Sequence, residues 1–170
     1  MSKTLVLIGM MGSGKTSVGK ELSKTLLIDF VDTDAEIERR CKKTIPEIFE
    51  LKGESYFRKI EEKVCLKIIN GKFKVVSIGG GAFMNKKIRK AIKSSGKSIW
   101  VHASLENIFQ RLSKSKNQRP MLNYSSLRTS IKKIYEERKE TYKTADYTIR
   151  TKNDSKKTIV KKILKEYENP

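Results

Sequence analysis

An octapeptide near the amino terminus, Gly9-Met10-Met11-Gly12-Ser13-Gly14-Lys15-Thr16, constrains this chain more than any other feature. It satisfies the pattern G-x-x-x-x-G-K-[ST] in full. It also lies between an apolar run, Thr4–Ile8, and a stretch with Val18, Leu22 and Leu26 at helical spacing. The spacing has a chemical reason. Glycines let the backbone turn tightly, so that successive N–H groups converge on one concavity and hold phosphate oxygens. The helix that follows adds its positive amino-terminal end. In such a loop Lys15 reaches the β- and γ-phosphates and the Thr16 hydroxyl is placed for Mg2+. Gly12, Ser13, Gly14, Lys15, Thr16 and Ser17 are therefore candidate ATP-binding residues. The pattern does not say what receives the phosphate.

The remaining chain alternates strand and helix signals. Thr4–Ile8 is almost continuously apolar, as a strand buried on both faces of a parallel sheet reads. Phe30-Val31-Asp32, Lys74–Ile78, Ser98–His102 and Tyr147–Ile149 read as four more strands. A helix-rich stretch runs from Asp34 to about Asn70, interrupted near Pro46 and Gly53. Further helices surround Ile88, Ala91 and Ile92; Leu105, Ile108, Phe109 and Leu112; Ser125 to Tyr142; and Ile159, Val160, Ile163 and Leu164. This alternation predicts an α/β fold, a three-layer α/β/α sandwich around a parallel sheet. No repeat or linker divides the 170 residues, so a single domain is expected over 1–170, with acceptor-binding helices at about 34–61. Ser113–Met121 is polar, basic and aperiodic; it reads as a mobile loop, part of a lid at about 113–124.

Lys+Arg number 38 against 19 Asp+Glu, a net charge of +19. Nucleic acid would be one partner for that charge. The excess is mostly lysine, is spread along the chain, and in its densest cluster (Arg39-Arg40-Cys41-Lys42-Lys43) has no interleaved aromatics. It is read as a solvated surface that attracts anionic substrates, with no nucleic-acid partner expected. Two cysteines make no disulfide framework, no leader-type cleavage site follows the first apolar run, and no run approaches the roughly 20 residues of a membrane span. A cytoplasmic, monomeric protein with no membrane partner is expected.

Asp32-Thr33-Asp34 ends the second strand. Alternate strand residues point the same way, so both carboxylates are expected to face the loop beyond the carboxyl ends of the strands. The strand leading to Gly79-Gly80-Gly81 lacks an acidic residue, which makes Asp32 the candidate second metal ligand beside Thr16. Asp34 would then orient an acceptor hydroxyl or take its proton, the competing role being a simple cap on a helix starting at Ala35. Two arginines fall on apolar helix stripes: Arg138 among Leu127, Ile131, Ile134, Tyr135 and Tyr142, and Arg58 with Glu61 among Phe57, Val64, Cys65, Ile68 and Ile69. An inward arginine is costly unless it meets an anion. With one nearby acid for two arginines, an external carboxylate is expected, gripped by guanidinium forks. Arg119-Pro120 closes the polar stretch, and an arginine carried by a closing lid stabilises phosphoryl transfer. The catalytic candidates are Lys15, Asp34 and Arg119.

With those residues in place, the chain resembles the shikimate kinase family almost end to end. The segments are GMMGSGKTSVG at 9–19, FVDTD at 30–34, GESYFRKIE at 53–61, SIGGGA at 77–82, QRPML at 118–122 and RKETYKTAD at 138–146. The resemblance implies a nucleoside-monophosphate-kinase-like fold with strand order 2-3-1-4-5. It also implies ATP-dependent phosphorylation of the 3-hydroxyl of shikimate, a step toward chorismate. On the matching positions, Asp34, Arg58, Gly80 and Arg138 would bind shikimate, with Phe57 and Gly81 in the same pocket. Gly12, Gly14, Lys15, Thr16 and Arg119 would bind ATP, Thr16 and Asp32 would lie on the magnesium side, and Arg111 would lie against adenine. The sequence departs from the family in three places. Leu27-Ile28-Asp29 stands where a glycine turn is usual, the RKETY segment lacks a proline, and Thr151–Asp154 matches poorly, leaving Asn153 a weak adenine-side candidate. His102, Cys41 and Trp100 are read as structural. Two rival readings are a related kinase for gluconate or a nucleotide and a basic nucleic-acid-binding ATPase.

Overall fold

The structure, a computed structural model, describes residues 3–116 and 119–168. Within the expected lid, Asn117 and Gln118 lie outside the described residues. Five strands form one parallel sheet: β1 (Thr4–Ile8), β2 (Phe30–Asp32), β3 (Val75–Ser77), β4 (Gly96–Ala103) and β5 (Tyr147–Thr151). Their order is 2-3-1-4-5, as the family resemblance implies. The helices are α1 (Lys15–Leu26), α2 (Thr33–Cys41), α3 (Ile45–Ile69), α4 (Lys86–Ser95), α5 (Leu105–Ser113), α6 (Leu127–Tyr142) and α7 (Lys156–Glu168).

The central strand explains the layering. Every residue of β1 is buried because β3 and β4 flank it and helices cover both faces. Leu5 and Leu7 point into a core shared with α1 and α7, while Val6 and Ile8 point into a larger core filled from α2 through α6. A period of two along one strand thus feeds two separate cores. The chain leaves β1 for β2, returns to β3 and then crosses over β1 to β4, so the direction of winding reverses beside β1. The loop after β1 therefore sits at the switch point, where α/β sheets open a crevice.

The helix-rich stretch is interrupted near Pro46, as expected: α2 ends at Cys41 and α3 begins at Ile45. Pro46 itself occupies the first turn of α3, behind a Thr44 cap that shares a capping box with Glu47. Proline is at home there because its missing N–H would have had no helical partner. The second interruption, at Gly53, is a kink: its φ of 77° and ψ of 170° bend α3 without ending it. Expected and observed strands agree in position but differ in length. β4 runs from Gly96 rather than Ser98, and β5 reaches Thr151, because pairing with β1 and then with β4 extends them beyond their apolar residues.

The unusual turn before β2 is now explicit. Leu27 caps α1 in the left-handed region, with φ of 54° and ψ of 42°, and its side chain is 92% exposed. A leucine there bears the Cβ–carbonyl crowding that glycine avoids, roughly 1–2 kcal/mol, and buries nothing in return. Leu27→Gly should stabilise the fold by about 0.5–1 kcal/mol once the greater freedom of glycine in the unfolded chain is deducted. The check is a thermal melt, with a rise in Tm of roughly 1–4 °C for a chain of this size.

Candidate functional site

The phosphate loop is shaped by where it must pass. Gly9 has φ of 135°, and a Cβ there would lie 2.7 Å from the Val101 carbonyl, so only glycine lets the chain leave β1 against β4. Gly14 is the amino-terminal cap of α1 and supplies no side-chain cap, which leaves the first N–H groups of the helix available to an anion. Lys15 is buried at the loop, its Nζ donating to the Gly9 and Met10 carbonyls at 2.9 Å each. Burial brings its ammonium down from the ordinary 10.5 to about 8, against the opposing pull of Asp34 and Asp32. Ser13 is turned inward; its N–H donates to the Met10 carbonyl at 3.2 Å and its buried Oγ has no partner. Ser17 lines the cavity outside the loop.

Asp32 does two jobs with two oxygens. Oδ2 accepts from Thr16 Oγ1 at 2.6 Å, and Oδ1 accepts from the backbone N–H groups of Asp34 at 3.0 Å and Ala35 at 3.3 Å. The cap on α2 is thus Asp32, not Asp34, because the helix begins at Thr33. Strand alternation likewise fails to place Asp34, since β2 has ended. The first turn of α2 places it, and both carboxylates still line one cavity. Capping by Asp32 leaves Asp34 free. Its Oδ1 is sealed from solvent without a hydrogen-bond partner, and its Oδ2 is 3.9 Å from Arg119 Nη1. Burial, with help from Asp32 and Glu61, raises its carboxyl from 3.8 to about 6.

Two cavities meet at that carboxylate. The larger, about 1080 Å³, is lined by the phosphate loop, Thr16, Asp32, Arg111 and Lys116. The smaller, about 60 Å³, is lined by Phe49, Phe57, Arg58, Glu61, Gly81 and Arg138. Met11, Asp34, Gly79, Gly80 and Arg119 border both. Arg111 holds the rim of the first, donating from Nη1 to the Gly12 carbonyl at 3.1 Å. Asn153 does not line either cavity.

The triple glycine after β3 is a matter of room. A Cβ on Gly79 would lie 2.7 Å from Glu61 Oε1 and 2.8 Å from Asp34 Oδ1; one on Gly81 would lie 2.7 Å from Arg58 Nη1. Side chains from α2 and α3 close onto the bare backbone. Arg58 is held by Glu61 at 2.7 Å and also by Glu54 at 3.1 Å, and it lies over the Phe57 ring. Glu54 is an acid that the sequence reading did not count, although its spacing of four from Arg58 on one helix marks it. Arg58 is thus doubly paired, and Arg138 is the arginine with unmet capacity. Arg138 is 7% exposed, and its Nη1 has no hydrogen-bond partner. Glu61 is 3% exposed; burial pushes its carboxyl up, and Arg58 and Arg138 draw it back down.

Thus the structure brings the candidate residues to one cleft except the Ser13 side chain, which points into the protein, and the weak candidate Asn153, which lines neither cavity. Two pockets that meet at a carboxylate and an arginine, one of them built on a phosphate loop, are the layout of a P-loop kinase for a small acceptor. A family model described as shikimate kinase matches residues 11–168. The shikimate kinase of Mesorhizobium japonicum is 39% identical over 163 residues, 96% of this chain and 80% of that protein. A shikimate kinase from Acinetobacter baumannii, solved in complex with shikimate, is 34% identical with a TM-score of 0.95, over 99% of this chain and 94% of that one. The shikimate kinase from Aquifex aeolicus is 36% identical with a TM-score of 0.85, over 97% of this chain and 96% of that one. The chain belongs to the shikimate kinase family.

The unmet Arg138 guanidinium has a consequence for stability. Replacing a buried ion by an apolar side chain of similar size is often neutral or stabilising, and Arg58 still pairs Glu61 when Arg138 is gone. Arg138→Met should therefore keep the free protein as stable, or up to about 2 kcal/mol more so, measured by urea unfolding without ligands.

Proposed function

We propose that this chain transfers the γ-phosphate of ATP to the 3-hydroxyl of shikimate, giving shikimate 3-phosphate and ADP on the route to chorismate and the aromatic amino acids. Beyond family membership, the observation that carries this reading is the buried Arg138 guanidinium with an unmet Nη1, facing a small pocket that opens on Asp34. Such a group calls for a planar anion, and the carboxylate of shikimate supplies one. Arg58, paired with Glu54 and Glu61, adds the second positive wall, and Phe57, Gly80 and Gly81 bound the pocket.

In this reading the acceptor hydroxyl lies at the junction of the two cavities. Asp34 accepts its proton as the new O–P bond forms and the bond from the γ-phosphorus to the β–γ bridging oxygen breaks. Lys15 and Arg119 offset the charge on the transferring group, while the bare N–H groups at Gly12, Gly14 and the start of α1 cradle the phosphates. Ser17 and Arg111 border the nucleotide side. Thr16 and Asp32 fit magnesium, since both offer hard oxygen donors 2.6 Å apart at the cavity wall. Among the described residues no cluster of three His, Cys, Asp or Glu forms a closed metal cage. A pair of protein oxygens suits an ion that keeps its waters and its phosphate ligands. Bound there, magnesium would neutralise the β- and γ-phosphate oxygens.

The reading includes a cytoplasmic monomer acting as one domain, with the stretch at about 113–124 as its lid and no nucleic-acid or membrane partner. ATP and a small polar acid are cytoplasmic substrates. No helix among the described residues is long and apolar enough to cross a membrane.

The test is ADP release from ATP and Mg2+ with shikimate, gluconate, a nucleotide panel, single-stranded DNA or no acceptor. Turnover with shikimate alone is expected. Arg138→Met should lower kcat/KM for shikimate at least about 100-fold and leave KM for ATP unchanged. Activity restricted to another acceptor would remove the substrate assignment.

The pH dependence follows from the free enzyme's groups. Asp34 must be ionised to take a proton, and its carboxyl sits at about 6, so activity falls below that pH. Lys15 must be charged to meet phosphate, and its ammonium sits at about 8, so activity falls above that pH. A plot of kcat/KM for shikimate should be bell-shaped with limbs near those two values. Asp34→Asn should lower kcat by about 10²–10⁴ and flatten the acid limb.

A further inference from the structure

We infer that Tyr142, at the end of α6, is a positioning residue for the acceptor: its hydroxyl ties the Gly80 carbonyl to α6 and so sets the distance between the glycine loop and Arg138. The inference rests on the reading that this pocket grips the acceptor carboxylate.

Tyr142 is fully buried, yet its hydroxyl donates to the Gly80 carbonyl at 2.5 Å. A buried hydroxyl is costly unless bonded, and the partner here is the backbone of a residue that borders both cavities. Tyr142 lies one helical turn beyond Arg138, on the same face of α6. The Arg138 guanidinium lies beside the hydroxyl, and a Cβ on Gly80 would be 3.4 Å from Arg138 Nη1. Burial holds the phenol at about 12, so it remains a donor at every working pH.

The seat of the ring is equally well defined. Trp100 on β4 packs against Tyr142 with ring centroids 5.6 Å apart, and it stacks on His102 at 4.2 Å. His102 Nε2 is 3.3 Å from the hydroxyl of Tyr135, which comes from α6 again. Tyr135 and Tyr142 are seven residues apart and clasp the Trp100–His102 pair from one helix. That clasp fixes the rotation of α6 about its own axis. Arg138 lies between the two tyrosines, so the same rotation aims its guanidinium into the acceptor pocket.

A tyrosine that only filled the core would affect stability and both substrates alike. A positioning residue acts on the acceptor side alone. Four proteins decide between these: wild type, Tyr142→Phe, Arg138→Met and the double variant, each assayed for kcat, KM for shikimate, KM for ATP and Tm. Turnover of shikimate by wild type tests the functional reading separately. Given that turnover, Tyr142→Phe should raise KM for shikimate about tenfold with KM for ATP unchanged. Adding it to Arg138→Met should cost little more, because both act on one grip. An unchanged KM for shikimate, equal losses for both substrates, or additive effects in the double variant would each overturn the inference. If Tyr142→Phe does not fold, Tyr135→Phe loosens the other end of the clasp. There a selective, few-fold rise in KM for shikimate supports the inference and no rise overturns it.

Discussion

Everything in the site depends on holding opposite charges in a half-dry cleft without letting them cancel. Lys15, Arg58, Arg119 and Arg138 face Asp32, Asp34 and Glu61 around the ends of β1, β2 and β3. Left to themselves, such groups would pair completely. The backbone prevents it. Asp32 is occupied by Thr16 and by the start of α2, Lys15 by two loop carbonyls, and Arg58 by Glu54 and Glu61. What remains is an unsatisfied oxygen on Asp34, against Gly79, and an unsatisfied nitrogen on Arg138, against Gly80. Each is expensive in the free protein, because a buried polar atom without a partner retains its desolvation cost. A ligand that brings a hydroxyl to one and a carboxylate to the other recovers both.

The fold makes that cost bearable. β1 is sealed by two cores, one on each face, and carries the phosphate loop rigidly to the crevice. The acceptor side is built differently. It hangs on α2 and on α3, which is kinked at Gly53, and no side chain fills the space at that kink. The Arg119 backbone N–H donates to the Tyr124 hydroxyl at 3.0 Å, which ties Arg119 to the segment leading into α6. The +19 charge belongs to another scale. It lies mostly on exposed lysines away from the cleft and bears on solubility and on attraction of anions rather than on chemistry.

Legibility followed the range of the interactions. The phosphate loop could be read residue by residue because its chemistry is local and its neighbours in space are its neighbours in sequence. Five strands, their kind and their sites were visible in the apolar runs. The inward arginines were visible as charges on apolar stripes. The interruption near Pro46 was legible too, because proline serves at a helix's first turn and fails inside one. One local detail misled. Asp34 looked like a strand-borne carboxylate with a capping alternative, and the cap is Asp32. Only one residue separates the two assignments, and helix ends are poorly determined by propensity alone.

A phosphate loop between a buried strand and a helix, a parallel sheet and inward arginines are all written in the residue pattern. Those facts rest on short repeating spacings and on the order of strand and helix signals, which backbone geometry converts directly into shape. Tertiary structure alone decided which charge remains unpaired. That outcome required Gly79, Gly80 and Gly81 to lie against side chains from α2, α3 and α6, elements far apart along the chain. It also required Tyr142 to reach Gly80 across 62 positions of sequence. No local pattern carries such distances, because they are set by how whole helices pack on the sheet.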